Sequence, residues 1–182
     1  MVRFLTIFLA TLMVLFTLEM LTPVQVAVIQ PFTGLLAQLS SLLILPFDDG
    51  VVSQGRVLRD VASGFAVSIE SGCNGVEAAI VLIAGVLAFP ARWQHKVTAI
   101  ALGFLAVQIL NILRIVSLFY LGQWNYALFE WTHLYFWPVL IMLDVLLVAM
   151  LVAWIKVGEL VRVEAQPAAA LFALCVALSL LA

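Results

Sequence analysis

Long apolar runs separated by short polar segments dominate the pattern of this chain. A bilayer-spanning helix needs roughly 20 consecutive, predominantly apolar residues. On this basis we predict membrane spans at about residues 4–21, 76–90, 97–121, 134–155 and 165–182. The first run follows one basic residue, Arg3, and no small-residue cleavage site follows it, so we interpret it as a retained span rather than a signal peptide.

Residues 26–45 give a less regular pattern, with prolines and several polar side chains among leucines at helical spacing. This mixture is typical of an amphipathic helix that lies in or near the outer interface of a membrane. The alternative is an additional span, which would invert the orientation of everything after it.

Residues 48–71 form the one long polar stretch between the apolar runs. Asp48, Asp49 and Gly50 are a turn signal, and short β-prone segments separated by glycines follow them. We therefore predict a small hairpin-like element. Open strand edges are not tolerated in hydrocarbon, so we expect this segment on the extracytoplasmic side, outside the hydrocarbon.

The composition identifies the broad class of protein. Of the 182 residues, 66% are hydrophobic and 10% are charged, whereas soluble domains carry roughly a quarter charged residues. We predict an all-α polytopic membrane protein with about five or six membrane helices, forming one domain over residues 1–182. The sequence has no basic patch, no phosphate-binding glycine loop and no Cys/His metal spacing, so we expect no nucleic acid, cofactor or metal.

The basic residues of the short loops orient these spans. The positive-inside rule places Arg3, the loop with Arg92 and Lys96, and the loop with Lys156 and Arg162 in the cytoplasm. The segments at 48–71 and 122–132 then face outward, the latter as a short aromatic loop. We therefore expect a multi-pass protein of the cell inner membrane.

The segment from Glu70 to Glu77 holds one of the two cysteines of the chain, between two glycines. Small neighbours leave the Cys73 thiol accessible, and glycine allows the backbone to approach a substrate closely. If a helix begins near Asn74, Glu77 returns to the side of the cysteine. A nucleophilic thiol also needs a cation or a base beside it.

Two such partners fall at the same level of the membrane in this topology. Gln108, Asn111 and Arg114 share one side of the third span, and His133 begins the fourth. Arg114 lies roughly 10 Å below the outer end of its span, where an arginine is costly and indicates a functional site. A thiolate, an imidazole and a guanidinium together are suited to acyl transfer.

Each of these residues also has a structural interpretation. Arg114 could pair with Glu77 or extend to the surface, and His133 could be an interfacial aromatic. Asp144 is interpreted as a counter-ion or a helix–helix contact. We assign no function to Glu19, His95 or Cys175.

At these residues the chain resembles the exosortase/archaeosortase family. Cys73-Asn74-Gly75 after a β-prone segment is similar to the family's cysteine motif, and the run from Asn111 to Ile115 to its Asn-x-x-Arg-Ile motif. His133 fills the third position. The resemblance covers residues 50–137, and the short chain is most similar to the exosortase H type.

The resemblance implies an integral membrane cysteine peptidase or transpeptidase with Cys73 as nucleophile, His133 as acid and base, and Arg114 as transition-state stabiliser. Its substrates would be exported proteins with a C-terminal sorting signal, which comprises a short motif, a transmembrane helix and a basic tail. Asn74 departs from the serine that many members carry, which leaves the local hydrogen bonding open.

Two other classes of protein remain open from the residues alone. A small transporter or channel subunit would line a polar path with Arg114, Glu77 and Asp144 and would keep its function without the thiol. A non-catalytic membrane assembly subunit would use Arg114 only in a structural ion pair.

Overall fold

The structure, a computed structural model, describes residues 2–157 and is mainly helical. The chain is an α-helical membrane protein. Its helices are α1 (Val2–Met20), α2 (Thr22–Val24), α3 (Gln30–Ile44), α4 (Val76–Ala88), α5 (Trp93–Trp124), α6 (Tyr126–Trp131) and α7 (Trp137–Val157). Two π-helical turns, Gln25–Ile29 and Thr132–Phe136, join α2 to α3 and α6 to α7. The predicted span at 165–182, Arg162 and Cys175 lie outside the described residues.

Three helical segments within the described range are long and apolar enough to cross a membrane. They are Val2–Met20, Thr22–Ile44 and Trp93–Trp124, while Val76–Ala88 is apolar but shorter. The number of crossings therefore stays a prediction.

The segment Thr22–Ile44 is helical in spite of its prolines. Pro23 lies in the first turn of α2, and Pro31 lies in the first turn of α3, directly after a π-helical turn. A proline costs least in the first turn of a helix, because the N–H that it lacks would have no partner within the helix there.

Residues 48–71 contain a three-stranded antiparallel sheet. The strands are β1 (Val51–Gln54), β2 (Val57–Asp60) and β3 (Ala66–Ser68), in the order β1-β2-β3. Gly55, at φ 58°, takes the left-handed conformation that the tight turn between β1 and β2 requires. One face of the sheet buries Leu58 and Ile69 against α3 and α5, in a cluster that also holds Leu36 and Phe119.

Helices α4 and α5 are antiparallel. At one end the Lys96 ammonium donates a hydrogen bond to the Leu87 carbonyl at 2.6 Å. At the other end Gly75 lies directly against Gln108, whose Nε2 would be 3.0 Å from a Cβ at position 75. The basic residues before α5 and the loop before α4 therefore lie at opposite ends of this helix pair.

Helix α1 is antiparallel to α4 and so runs in the same direction as α5. Phe8 packs with Ala84 and Ala88 near the end of α4, while Glu19 reaches Glu77 at the start of α4.

Helix α3 also runs in the direction of α5. Its Phe32 ring lies 6.1 Å from that of Phe104, and the sheet packs along the rest of the helix toward Ile44. At that end of the sheet Phe65 packs 5.9 Å from Phe119, fifteen residues further along α5 than Phe104. The segment Thr22–Ile44 therefore continues in the direction of α1 rather than returning beside it.

The expectation of a loop at 122–132 is wrong. Helix α5 continues to Trp124, and α6 begins at Tyr126 after a single residue, Asn125. The Asn125 side chain accepts a hydrogen bond from the Leu128 N–H at 3.2 Å and so caps α6. The Asn125 cap starts a new helix within the segment that the sequence pattern predicted as a short aromatic loop.

Candidate active site

The Cys73 loop joins strand β3 to helix α4 and is held by two glycines. Gly72 and Gly75 have φ angles of 85° and 74°, a conformation that side-chain-bearing residues rarely adopt. The Cys73 N–H donates to the Glu70 carbonyl at 3.0 Å. The backbone turns sharply on each side of the cysteine, so its thiol is fixed at the start of α4 and remains partly exposed.

Asn74 anchors the Cys73 loop through hydrogen bonds of its side chain. Its side chain is fully buried; its Oδ1 accepts from the Val76 N–H at 3.0 Å, and its Nδ2 donates to the Thr33 hydroxyl at 3.4 Å. The first bond gives the N–H of Val76, the first residue of α4, a partner, and the second ties the loop to α3. These two bonds are the local hydrogen bonding of Asn74, which the departure from serine had left open in the sequence analysis.

Glu77 contacts the loop rather than Arg114. Its Oε1 accepts from the Gly72 N–H at 2.5 Å, and its carboxyl group lies beside that of Glu19 at the end of α1. Glu19, with 7% of its surface exposed, is therefore a supporting residue that the sequence analysis missed.

Arg114 projects from α5 into the loop and is 5% exposed. Its Nη1 donates to the Gly72 carbonyl at 3.4 Å, and its Nη2 lies 3.5 Å from Cys73 Sγ and 3.5 Å from His133 Nδ1. The one salt bridge recorded between described residues joins Arg56 to Glu70. An ion pair of Arg114 with Glu77 or Asp144 is thus not part of the described structure.

His133 lies on the π-helical turn before α7. Its Nε2 is 4.0 Å from Cys73 Sγ, and its ring stacks on Phe129 with centroids 5.7 Å apart and an interplanar angle of 2°. Phe129 precedes His133 by one helical turn, which the expectation of a loop concealed. Three elements far apart in sequence thus bring together the cysteine, the arginine and the histidine.

The protonation states follow from burial and from Arg114. Burial raises the pKa of the Cys73 thiol, and Arg114 partly offsets this rise. Burial also lowers the pKa of His133, and the neighbouring guanidinium lowers it further. Both shifts favour a neutral thiol beside a neutral imidazole over a thiolate–imidazolium pair.

The arginine contact also selects a tautomer of His133. A guanidinium can only donate, so the ring nitrogen facing it, Nδ1, acts as an acceptor. A neutral ring then carries its proton on Nε2, the nitrogen nearest Cys73 Sγ. In this state both Arg114 and His133 direct hydrogen-bond donors at the sulfur.

A cavity of about 330 Å³ opens beside these three side chains. Its lining comprises residues 65–70, which include strand β3; Tyr126, Phe129 and His133; and Arg114, Ile115 and Leu118 of α5. The site can therefore admit a ligand between the sheet and α6. Within residues 2–157 no group of three or more His, Cys, Asp or Glu side chains is placed to hold a metal ion.

The remaining predicted residues lie away from the sulfur. Asn111 is fully buried next to Gly75, and its side-chain amide, like that of Gln108, has no hydrogen-bond partner among the described residues. Asp144 is partly buried in α7 and has one carboxylate oxygen without a partner there. Asn111 supports the Cys73 loop by close packing, whereas no described contact joins Asp144 to the site.

The chain was compared with known protein families, curated proteins and solved structures. A family model described as transmembrane exosortase (Exosortase_EpsH) matches residues 2–143, which include the cysteine loop, the arginine and the histidine. No curated protein and no solved structure matches the chain.

Proposed function

Since the chain belongs to the transmembrane exosortase family, we propose that it is a membrane-embedded cysteine peptidase or transpeptidase that cleaves C-terminal sorting signals of exported proteins. The observation that carries this proposal is the contact of Cys73 Sγ with both Arg114 Nη2, at 3.5 Å, and His133 Nε2, at 4.0 Å. A thiol beside a base and a fixed cation is the arrangement that nucleophilic acyl transfer requires.

In the proposed reaction, Cys73 Sγ attacks the carbonyl carbon of the scissile peptide bond. A sulfur–carbon bond forms, the carbonyl oxygen becomes an oxyanion, and the thiol proton passes to His133. When the carbon–nitrogen bond breaks, His133 returns that proton to the leaving amine. The product is a thioester on Cys73, which an amine or water then resolves, regenerating the thiol.

Arg114 changes partners during this sequence. His133 Nε2 can accept the thiol proton only if it carries none, which requires the other tautomer and therefore the release of Nδ1 by Arg114. The oxyanion of the substrate is a stronger acceptor than a neutral imidazole. Substrate binding would thus draw the guanidinium to the carbonyl oxygen, where a fixed donor contributes about 3 kcal/mol.

The orientation we propose places this site on the extracytoplasmic side of the cell inner membrane. Arg92 and Lys96 lie at the end of the α4–α5 pair opposite Cys73, and α1, which begins beside Arg3, runs from that same end. The positive-inside rule assigns the basic end to the cytoplasm. The partners are therefore membrane lipids and exported proteins whose tail helix enters the same bilayer.

The test is co-expression of the enzyme with an exported reporter that carries a C-terminal sorting signal from the same genome. Wild type should release the tail, Cys73→Ala should leave it uncut, and His133→Ala should form little thioester. Mass spectrometry of the purified mixture should find the shortened reporter on the Cys73 peptide, and hydroxylamine should release it. Cys175→Ala, which removes the other cysteine, is the matched control and should cleave as wild type does.

Continued cleavage by Cys73→Ala would overturn the nucleophile assignment. A membrane phenotype that survives loss of the thiol would instead favour a transporter or channel subunit with Arg114, Glu77 and Asp144 along a polar path. Loss of assembly without any covalent adduct would favour a non-catalytic assembly subunit.

A further inference from the structure

The outer edge of strand β3 is open. The sheet order ends at β3, and its pairing with β2 is framed by the bonds Asp60 N–H to Phe65 O and Ile69 N–H to Arg56 O. Antiparallel bonding alternates along a strand, so the Phe65 carbonyl, the backbone groups of Val67 and the Ile69 N–H are directed toward β2, while the Phe65 N–H donates to Ser63 Oγ. The N–H and C=O groups of Ala66 and Ser68 therefore point away from the sheet.

These outward groups have no hydrogen-bond partner in the part of the chain that the structure describes. The opposite edge differs, because β1 packs along α3, with the Ser41 hydroxyl donating to that of Ser53 at 3.3 Å. An open strand edge is a template for pairing with another extended chain.

The open edge leads to the nucleophile. Ala66 and Ser68 are exposed and belong to the wall of the cavity that contains Cys73. The aromatic pair Tyr126 and Phe129 also lines that cavity. A peptide strand paired with the edge of β3 would alternate its side chains between the two faces of the sheet, one toward the α5 residues that line the cavity and the other toward bulk solvent.

We infer that the substrate binds as an additional β-strand on the open edge of β3, running parallel to β3 toward Cys73. This inference rests on the proposed function, which requires an extended segment at the thiol. The direction follows from the positions of the two ends. β3 runs from the end of the sheet where Ser63 meets Gln123 toward the Cys73 loop, and the tail helix of the substrate follows its motif into the membrane.

The first part of the test removes one outward N–H. Proline is tolerated at edge positions whose N–H does not bond within the sheet, and Val67, which precedes it, is in the extended conformation that proline favours. We expect Ser68→Pro to lower cleavage of the reporter at least 10-fold, mainly through KM. Ser68→Ala, which loses the hydroxyl bond to Glu70 but keeps the N–H, separates the side-chain contribution, and its activity should exceed that of Ser68→Pro several-fold. Alkylation of Cys73 by iodoacetamide should proceed at the wild-type rate in both variants.

The second part maps the pairing by disulfide cross-linking. Ala66→Cys or Ser68→Cys is placed in a Cys73→Ser, Cys175→Ala background, with single cysteines scanned through the motif of the reporter. Strand addition predicts efficient cross-links at alternate reporter positions. The best position should move two residues toward the scissile bond when the enzyme cysteine moves from 66 to 68.

Each other result is decisive. A period of three to four positions, a shift away from the scissile bond, or no cross-links to a reporter that wild type cleaves would overturn the added strand while leaving the proposed function intact. Equal activity of Ser68→Pro and Ser68→Ala would overturn it as well. If wild type and Cys73→Ala act on the reporter equally, both the proposed function and this inference are overturned.

Discussion

At the scale of single residues, the site depends on Arg114 having three acceptors within reach. One guanidinium faces a backbone carbonyl, the cysteine sulfur and the histidine ring. A planar fork with several N–H groups can make these contacts together, whereas an ammonium is a single point of donation. The geometry of the side chain, and not only its charge, is therefore expected to matter.

We predict that Arg114→Lys lowers turnover of the reporter by roughly 100-fold, because lysine keeps the charge but loses the fork that reaches the oxyanion. The measurement is the rate of tail release by purified protein, with membrane insertion and melting temperature as checks of the fold. Arg92→Lys, an exposed arginine at the opposite end of the helix pair, is the control and should have no effect. Near-normal turnover of Arg114→Lys would mean that charge compensation alone is sufficient.

The pH dependence of thiol reactivity tests the protonation states. Because burial raises the pKa of Cys73 and Arg114 lowers it, alkylation by iodoacetamide should increase with pH, with its midpoint above the roughly 8.5 of a free thiol. Arg114→Gln removes the lowering contribution and should move the midpoint higher still. The experiment uses Cys175→Ala protein in detergent. A rate that is already maximal at pH 6 would instead indicate a thiolate–imidazolium pair.

At the scale of elements, the thiol is positioned by the turn between β3 and α4. Gly75, at φ 74°, ends this turn and lies against Gln108 and Asn111 of α5. Glu77 holds the other glycine of the turn through its N–H. The turn is thus fixed by α1, α3 and α5 together, and small changes in it displace the sulfur from its partners.

We predict that Gly75→Ala destabilises the protein by about 1–2 kcal/mol through the left-handed backbone alone, and that it also lowers cleavage. The added Cβ would lie 3.0 Å from Gln108 Nε2 and 3.4 Å from Asn111 Cγ. Gly85→Ala is the matched control, because a Cβ there meets nothing within 4 Å and alanine favours a helix by about 0.5–1 kcal/mol. Thermal unfolding and reporter cleavage measure the two effects; equal behaviour of the variants would show that the turn tolerates a side chain.

At the scale of the whole molecule, the site lies at the end of the α4–α5 pair that is opposite Arg92 and Lys96. Helix α4 has 13 residues and is about 20 Å long, shorter than the roughly 30 Å of hydrocarbon in a bilayer. If α4 crosses the bilayer, the crossing must therefore include residues of the loops at both of its ends. With the strands outside the hydrocarbon, the Cys73 loop then lies at the outer boundary, next to the sheet.

We predict that a membrane-impermeant maleimide labels Cys73 from the extracytoplasmic side in cells with a permeabilised outer membrane, in a Cys175→Ala background. Two single-cysteine variants at exposed positions, made in a protein without the native cysteines, show how each side of the membrane labels. Ser63→Cys, on the sheet, should label from outside, and Gln94→Cys, beside the basic loop, only in inverted vesicles. Labelling of Cys73 in inverted vesicles alone would reverse the orientation and with it the access of exported substrates.

The sequence by itself determined the class of the protein and its candidate chemistry. Composition requires a lipid environment, because a surface with so few charges is not stable in water. The three motifs indicated the family, which the family match confirmed, and they named Cys73, Arg114 and His133. The turn residues before Cys73 also predicted the strands in 48–71, because glycine and aspartate mark the turns between β-prone runs and depend only on local sequence.

Only the tertiary structure decided how these residues are supported. Glu19 carries no local signal of its role, which comes from its contact with Glu77 across two helices. The direction of α3 depends on its packing against α5 and the sheet, which no hydrophobic pattern specifies. The open edge of β3 and the cavity beside it exist only once the sheet has docked against these helices. Local pattern fixes which segments are apolar or turn-forming, whereas partner choice between distant segments is set by packing in three dimensions.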